Sequence, residues 1–243
     1  MKKLYLVFLF GFVLGFAQNK KGIGLTESEG LGKYQLEQLN VGWYYNWGLV
    51  SKVATDRIFV PMCFSLKAIN KIQKSDVILG FNEPDNDNQA NVAVLLAVEN
   101  WHYLQEKSIK IGSPALAKNV LKKGNWLDFF LESKPKVDFI ALHWYKGCDA
   151  DKFILDLKKV IQKYQLPVWV TEFAPQTTSQ SKLKPLKYSE KEVAEFIKKT
   201  VKWMENEQMI EKYAWHNSKF GTSALFTTSG ELTAAGKVYR DAK

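Results

Sequence analysis

Cysteine, histidine and arginine are scarce in this 243-residue chain, and each scarcity removes a class of function. Two cysteines, Cys63 and Cys148, cannot build a disulfide scaffold. An export compartment permits one bridge between them, but nothing in the sequence places them within bridging reach. The three histidines, His102, His143 and His216, stand apart, with no H-E-x-x-H and no Cys/His ligand spacing. No metal is therefore expected. Gly22-x-Gly24 does not continue into a dinucleotide fingerprint, because Glu27 occupies the third glycine's place, and neither a Walker loop nor a G-x-S-x-G elbow is present. No cofactor is expected either. Arginine occurs only as Arg57 and Arg240, so the net charge of +9 is carried almost wholly by lysine, scattered in runs such as Lys158-Lys159 and Lys198-Lys199. That is the pattern of solvated helix faces. A nucleic-acid groove would need clustered arginine among aromatic platforms, and no nucleic-acid partner is expected.

Long apolar runs are missing too, except at the start. Residues 1–17 read Met-Lys-Lys, then an apolar run from Leu4, then Gly15-Phe16-Ala17 before Gln18. A basic start, an apolar stretch shorter than the roughly 20 residues of a spanning helix, and a small-x-small end make a signal peptide. The expectation is a secreted or periplasmic protein with no membrane contact after cleavage. No linker or low-complexity segment divides residues 18–243, which read as a single catalytic domain. With no dimerisation motif in view, a monomer is expected.

Short β-rich runs alternate with amphipathic stretches along that domain. Strands are expected at 22–25, 41–47, 57–62, 77–81, 109–112, 137–143, 167–172 and 213–216, the first being the least marked. Eight strands separated by helical patterns predict an α/β fold, a single (β/α)8 TIM barrel. Ser189-x-x-Glu192 is a capping box, followed at helical spacing by Val193, Phe196, Ile197, Val201 and Met204. Phe153, Ile154, Leu157, Val160, Ile161 and Tyr164 mark a second helix, with Asp149 and Asp151 at its positive end. A third is expected over 91–106.

Two strands end in glutamate: Gly80-Phe81-Asn82-Glu83-Pro84-Asp85 and Trp169-Val170-Thr171-Glu172-Phe173-Ala174, with the glutamates 89 residues apart. A barrel of about 250 residues spends about 31 on each unit, so the two stand about three strands apart at one mouth, where barrel enzymes keep their active sites. A pair of carboxyls flanking one bond is what a retaining glycosidase needs, one as acid and then base, the other as nucleophile. Pro84 is expected to hold Glu83 extended at its strand end. Val168, Val170 and Glu172 share a parity, which is expected to turn the carboxylate inward with the valines. Trp43, Tyr45 and Trp47 also share a parity and are expected, with Asn46, Trp144, Phe173 and Trp215, to meet sugar rings and hydroxyls. His143 and Tyr145 share another, which would point both toward Glu172 and let a donated hydrogen bond favour its ionised form.

With these residues in order, the chain resembles glycoside hydrolase family 128, small secreted β-1,3-glucanases of the (β/α)8 retaining clan. The similarity rests on Lys21-Gly22, Trp43-x-Tyr45-Asn46-Trp47, Val60-Pro61-Met62, the Asn82-Glu83-Pro84-Asp85 and Thr171-Glu172-Phe173 segments, His143-Trp144-Tyr145, Tyr213-Ala214-Trp215, and Leu232-Thr233-Ala234-x-Gly236-x-x-Tyr239. The resemblance implies Glu83 as acid/base on the fourth strand and Glu172 as nucleophile on the seventh. It also implies Asn82 at the 2-hydroxyl of the cleaved sugar, Tyr145 as hydroxyl partner of Glu172, and Trp215 as aromatic floor. The implied activity is endo-cleavage of laminarin-type β-1,3-glucan. Another β-glycan such as xylan or mannan, and a non-catalytic glucan binder, remain open alternatives. One departure stands out: many clan members place an arginine near the nucleophile, and neither Arg57 nor Arg240 is placed for it, so Asn, His or Tyr donors must serve.

Overall fold

The computed structural model describes residues 19–27, 30–175, 187–216 and 221–243, so the expected leader at 1–17 lies outside the described residues. Eight parallel strands run in chain order around a barrel: β1 (Lys21–Gly24), β2 (Trp43–Tyr45), β3 (Ile58–Phe59), β4 (Ser75–Ile78), β5 (Ser108–Ile111), β6 (Ile140–Trp144), β7 (Val168–Phe173) and β8 (Ile210–His216). Each falls within or beside an expected strand. β1, the least marked in sequence, pairs with β2 on one side and β8 on the other.

The hydrogen-bonded ladders form a six-stranded sheet, β3-β2-β1-β8-β7-β6, and a separate β4-β5 pair. Isolated parallel bridges, Met62 to Leu79 and Gly112 to Phe139, cross the two gaps. Pro61 lies next to the first of these bridges and carries no N–H to donate, so pairing does not extend back along β3 from there. The ring is thus barrel-like without being one closed ladder.

Helices cover the outside. α1 (Lys33–Leu39), α2 (Val94–Asn100), α3 (His102–Lys107), α4 (Trp126–Glu132), α5 (Ala150–Tyr164), α6 (Glu190–Asn206) and α7 (Ala234–Asp241) follow the strands. Ser189 caps α6 in the expected box, and its stripe of Val193, Phe196, Ile197, Val201 and Met204 is buried. Asp149 caps α5 by accepting from the Lys152 N–H at 2.9 Å. The single helix expected over 91–106 is two, because at Trp101 the chain tightens to i→i−3 bonding, Trp101 N–H to Val98 carbonyl at 3.2 Å. The Trp101 indole wedges between Phe81 and Phe130 and donates to the Lys136 carbonyl.

Two apolar layers result. Between strands and helices lie Tyr44, Ile140, Leu142, Val168, Val170, Phe173, Tyr213 and Trp215, packed with Phe153, Leu157, Phe196 and Val201. Inside the barrel Trp43, Val60, Met62, Leu79, Phe139, Trp169 and Ala214 form a second cluster with Tyr45. Trp169 stacks on Phe139 with centroids 4.1 Å apart and meets Trp43 at 5.3 Å, an aromatic plug filling the barrel below the site. Gly22 makes room for it, since a Cβ there would fall 2.4 Å from the Trp43 indole. Cys63 and Cys148 are both free thiols.

Candidate active site

Glu172 reaches the barrel interior by a route that simple alternation does not provide. Val168 and Val170 face the helices while Trp169 faces inward. Continued alternation would therefore turn residue 172 outward, contrary to the shared parity expected from sequence. β7 carries one extra residue at Thr171: Leu142 pairs with Val170 and His143 with Glu172, while Val170 pairs with Tyr213 and Phe173 with Trp215. This bulge resets the alternation and sends Glu172 inward, a common use of bulges beside active sites.

Glu83 also departs from expectation. Its backbone is not extended but left-handed, with φ of 46°. Its N–H donates to the Ala115 carbonyl and its own carbonyl accepts from the Asn86 N–H, so the strand end folds directly into a turn that outweighs the pull of Pro84 toward extended backbone. Trp47 has φ of 59°. Such conformations cost about 1–3 kcal/mol each and persist where the surroundings enforce them. Of the non-glycine residues with positive φ among those described, Glu83 and Trp47 stand at the carboxylate pair.

Four side chains converge on Glu172, which is 5% exposed. Tyr145 donates its hydroxyl to Oε2 at 2.5 Å, and Trp47 donates Nε1–H to Oε1 at 2.7 Å. The Tyr45 hydroxyl lies 3.1 Å from Oε1 and 2.9 Å from the Thr171 carbonyl, sharing one proton between them. His143 Nδ1 lies 3.4 Å from Glu172 Oε2 and 3.0 Å from Glu83 Oε1, so the imidazole bridges the two carboxylates. Asn86 donates to the other oxygen of Glu83 at 3.0 Å. One oxygen of each glutamate and a His143 nitrogen all lie within 4.8 Å of one another.

Burial alone would push the Glu172 carboxyl up, but the imidazoles of His143 and His216 and the donors Tyr145 and Trp47 outweigh it, and the pKa lies below the ordinary carboxylate value. Burial would likewise strip the proton from His143, yet Glu172 and Glu83 hold it there and raise its pKa. His216, stacked edge-on against Trp47 and Tyr145, is pushed down chiefly by burial. Burial, then the Glu172 charge, raises Tyr45 and Tyr145 well above the usual phenol range, which keeps both as donors. The result is a buried, ionised carboxylate held by neutral hydroxyls, an indole N–H and a cationic imidazole. No arginine takes part: Arg57 sits beside Asp56 and Arg240 beside Asp241.

Among the described residues, Glu83, His143 and Glu172 are the group close enough to hold a cation. A metal would have to displace the Glu83 bond to His143 and the donors already on Glu172, so the set fits a proton network better. The cleft above them has a volume of about 550 Å³ and is lined also by Asn86, Gln89, Lys118, Asn119 and Lys146.

The other expected contacts divide sharply. Asn82 is buried, donating to Gln89 at 3.2 Å, with its Oδ1 lacking a protein partner. Asn46 spends its amide on Glu27 and the Val50 carbonyl, holding a loop. Trp43 lies wholly buried in the plug, with its N–H on the Lys20 carbonyl. Trp144 faces the helices, packed on Phe153 and Phe196 and bonded to Asp156. Phe173 and Trp215 pack against each other in that outer layer, and Trp215 donates to the Ser223 carbonyl, so it floors no sugar site. Sequence reasoning chose the wrong face of β8: His216, the neighbour of Trp215, is the residue that turns inward. His216, Asn86 and Gln89 were missed as site residues, and the inward face of β8, marked by Ala214 in the cluster with Trp43 and Trp169, shows only in the structure.

A family model described as "Glycosyl hydrolase catalytic core" matches residues 22–239. The structure is similar to a GH128 subgroup I endo-β-1,3-glucanase from Amycolatopsis mediterranei, solved as a mutant with laminarihexaose, at 27% identity and a TM-score of 0.78 over 93% of this chain and 100% of that one. It is also similar to a GH128 subgroup III curdlan-specific exo-β-1,3-glucanase from Blastomyces gilchristii, solved with glucose, at 26% identity and a TM-score of 0.71, covering 91% and 97% of the two chains. Alkali-sensitive linkage protein 1 of Schizosaccharomyces pombe is 30% identical over 90% of this chain. The chain spans 44% of that relative's length.

Proposed function

We propose that this chain, which belongs to the glycosyl hydrolase catalytic core family, is a secreted retaining endo-β-1,3-glucanase acting on laminarin-type glucan by double displacement. The observation that carries retention is the close approach of the two carboxylates, with one oxygen of each within 4.8 Å of the other and His143 touching both. Retaining pairs stand roughly 5–5.5 Å apart, whereas inverting pairs need roughly 6.5–9.5 Å to admit a water.

Glu83 enters the reaction protonated, accepting from His143 through its carbonyl oxygen; Glu172, held ionised, then attacks the anomeric carbon while the glycosidic C–O bond breaks and Glu83 gives its proton to the departing oxygen. The covalent ester consumes the negative charge of Glu172. Glu83, now a carboxylate, takes a proton from water as that water attacks the anomeric carbon and frees Glu172. His143 touches both groups and keeps them in register through the exchange. Tyr45, Trp47 and Tyr145 aim the nucleophile in place of an arginine.

The β-1,3-glucan substrate is supported by the likeness to endo- and exo-acting β-1,3-glucanases alike, and internal cleavage is carried over from the endo-acting relative. Export is supported by the leader pattern at 1–17. Laminarin digestion followed by proton NMR and product sizing tests the reading. Initial products of β configuration and mixed length are expected. An α anomer would overturn retention, glucose alone would overturn internal cleavage, and turnover of xylan or mannan in place of laminarin would overturn the substrate.

A further inference from the structure

Glu27, the residue that interrupts the glycine pattern at the end of β1, is not part of the carboxylate pair, yet it is tied to it. Its carboxylate accepts three hydrogen bonds, from Asn46 Nδ2 at 2.7 Å, Ser51 Oγ at 2.6 Å and the Lys52 N–H at 3.1 Å. These donors come from both ends of the loop that follows β2, and Trp47 lies between them. Asn46 adds two internal ties, accepting from the Gly48 N–H at 3.0 Å and donating to the Val50 carbonyl at 2.9 Å. Tyr44, on the outer face of β2, donates to Ser51 Oγ at 2.9 Å. Burial opposes charge on Glu27, but the bonds from Ser51, Lys52 and Asn46 outweigh it and keep its pKa below the ordinary value.

What the loop holds is Trp47 in a left-handed backbone conformation that a bulky aromatic rarely adopts. From there the indole N–H reaches Glu172 Oε1 at 2.7 Å. The ring also rests on the bare backbone of Gly24, where a Cβ would fall 2.9 Å from the Trp47 ring and 3.2 Å from the Tyr45 hydroxyl. The end of β1 therefore supplies both the seat for the indole and, through Glu27, the anchor for its loop.

We propose that Glu27 is a positioning residue: it clamps loop 46–52 so that Trp47 donates to Glu172 and holds that carboxylate ionised and aimed. The inference rests on Glu172 being the nucleophile. Glu27→Gln places an amide where three donors converge, and we expect kcat on laminarin to fall about tenfold, the loss of one hydrogen bond to a charged group, with KM within about twofold. The acid limb of the pH profile should move to higher pH, as it should in Trp47→Phe. The double variant should show no larger shift than Trp47→Phe alone, because both act through one bond. Ser51→Ala, which removes a single donor, should move the limb less and in the same direction, and it serves if Glu27→Gln does not fold. An unmoved acid limb, or additive shifts, would overturn the clamp. If the wild-type chain does not hydrolyse laminarin, the functional reading fails separately and the indole 1H–15N resonance of Trp47 decides on the clamp. Its shift should change in Glu27→Gln without substrate, and an unchanged resonance would sink the proposal.

Discussion

The Tyr145 hydroxyl donates to Oε2 of Glu172 across 2.5 Å, from a residue next in line to His143 and Trp144 on β6. One hydrogen bond to a charged group is worth about 1.5–3 kcal/mol. We expect Tyr145→Phe to lower kcat/KM roughly 10- to 150-fold. The bond is one reason the Glu172 pKa lies low, and the ionised form works above that pKa, with the rate falling as pH falls through it. Removing the bond raises the pKa, so the acid limb should move to higher pH. A loss of rate with an unmoved limb would assign Tyr145 to sugar binding instead.

His143 sets a second pH dependence. Its folded pKa lies above the ordinary 6.5, so its proton stabilises the fold fully below pH 6.5 and the benefit disappears as pH rises through the raised value. Glu172 has the opposite sign: its folded pKa lies below the ordinary 4.5, so its contribution is present above pH 4.5 and lost as pH falls through the depressed value. Both act between these limits. Urea unfolding of wild type and His143→Asn should therefore show a stability gap that is larger at about pH 5.5 than at about pH 9. A gap that widens with pH would mean that His143 is neutral in the fold.

The two tryptophans flanking Tyr45 separate folding from function. Trp43 is fully buried in the plug, and Trp43→Ala should destabilise by about 3–5 kcal/mol, which is roughly 10 °C in Tm for a chain of this size. Trp215→Ala should behave alike. Trp47→Phe keeps most of the packing and loses the N–H on Glu172, so rate should fall while Tm drops by roughly 3–6 °C, less than in Trp43→Ala. Thermal melts and laminarin kinetics on the same preparations check this. Loss of substrate affinity in Trp43→Ala with an unchanged Tm would return Trp43 to the sugar site.

Much of the barrel was legible because strand position is a local property. Runs such as 137–143 and 167–172 are β-rich, end in turn residues, and recur often enough to count eight. The Glu83 to Glu172 spacing then followed from the size of a βα unit. Which face of each strand turns inward was not legible, since barrel strands are buried on both sides and lose the polar alternation that would mark one. That is why Phe173 and Trp215, expected at the sugar, lie under α5, α6 and α7 instead, while Trp144 borders the cleft but packs mainly against α5 and α6. On β7 the inward turn of Glu172 was expected for the wrong reason. Val168 and Val170 face outward, and only the extra residue at Thr171, visible in the pairing with β6 and β8, reverses the sense. The left-handed backbone at Glu83 was hidden for a related reason: Pro84 argues for extension locally, and the contacts with Ala115 and Asn86 that override it are tertiary or lie beyond the motif.

Trapping the glycosyl-enzyme tests most directly whether Glu172 forms the bond. A 2-deoxy-2-fluoro β-glucosyl fluoride slows both steps by destabilising the oxocarbenium-like transition state, and its good leaving group lets the first outrun the second. Intact mass followed by peptide mapping should show one added fluoroglycosyl group, carried on the peptide containing Glu172, and none in Glu172→Gln. A label on Glu83, or turnover with inversion and no label, would contradict the assignment.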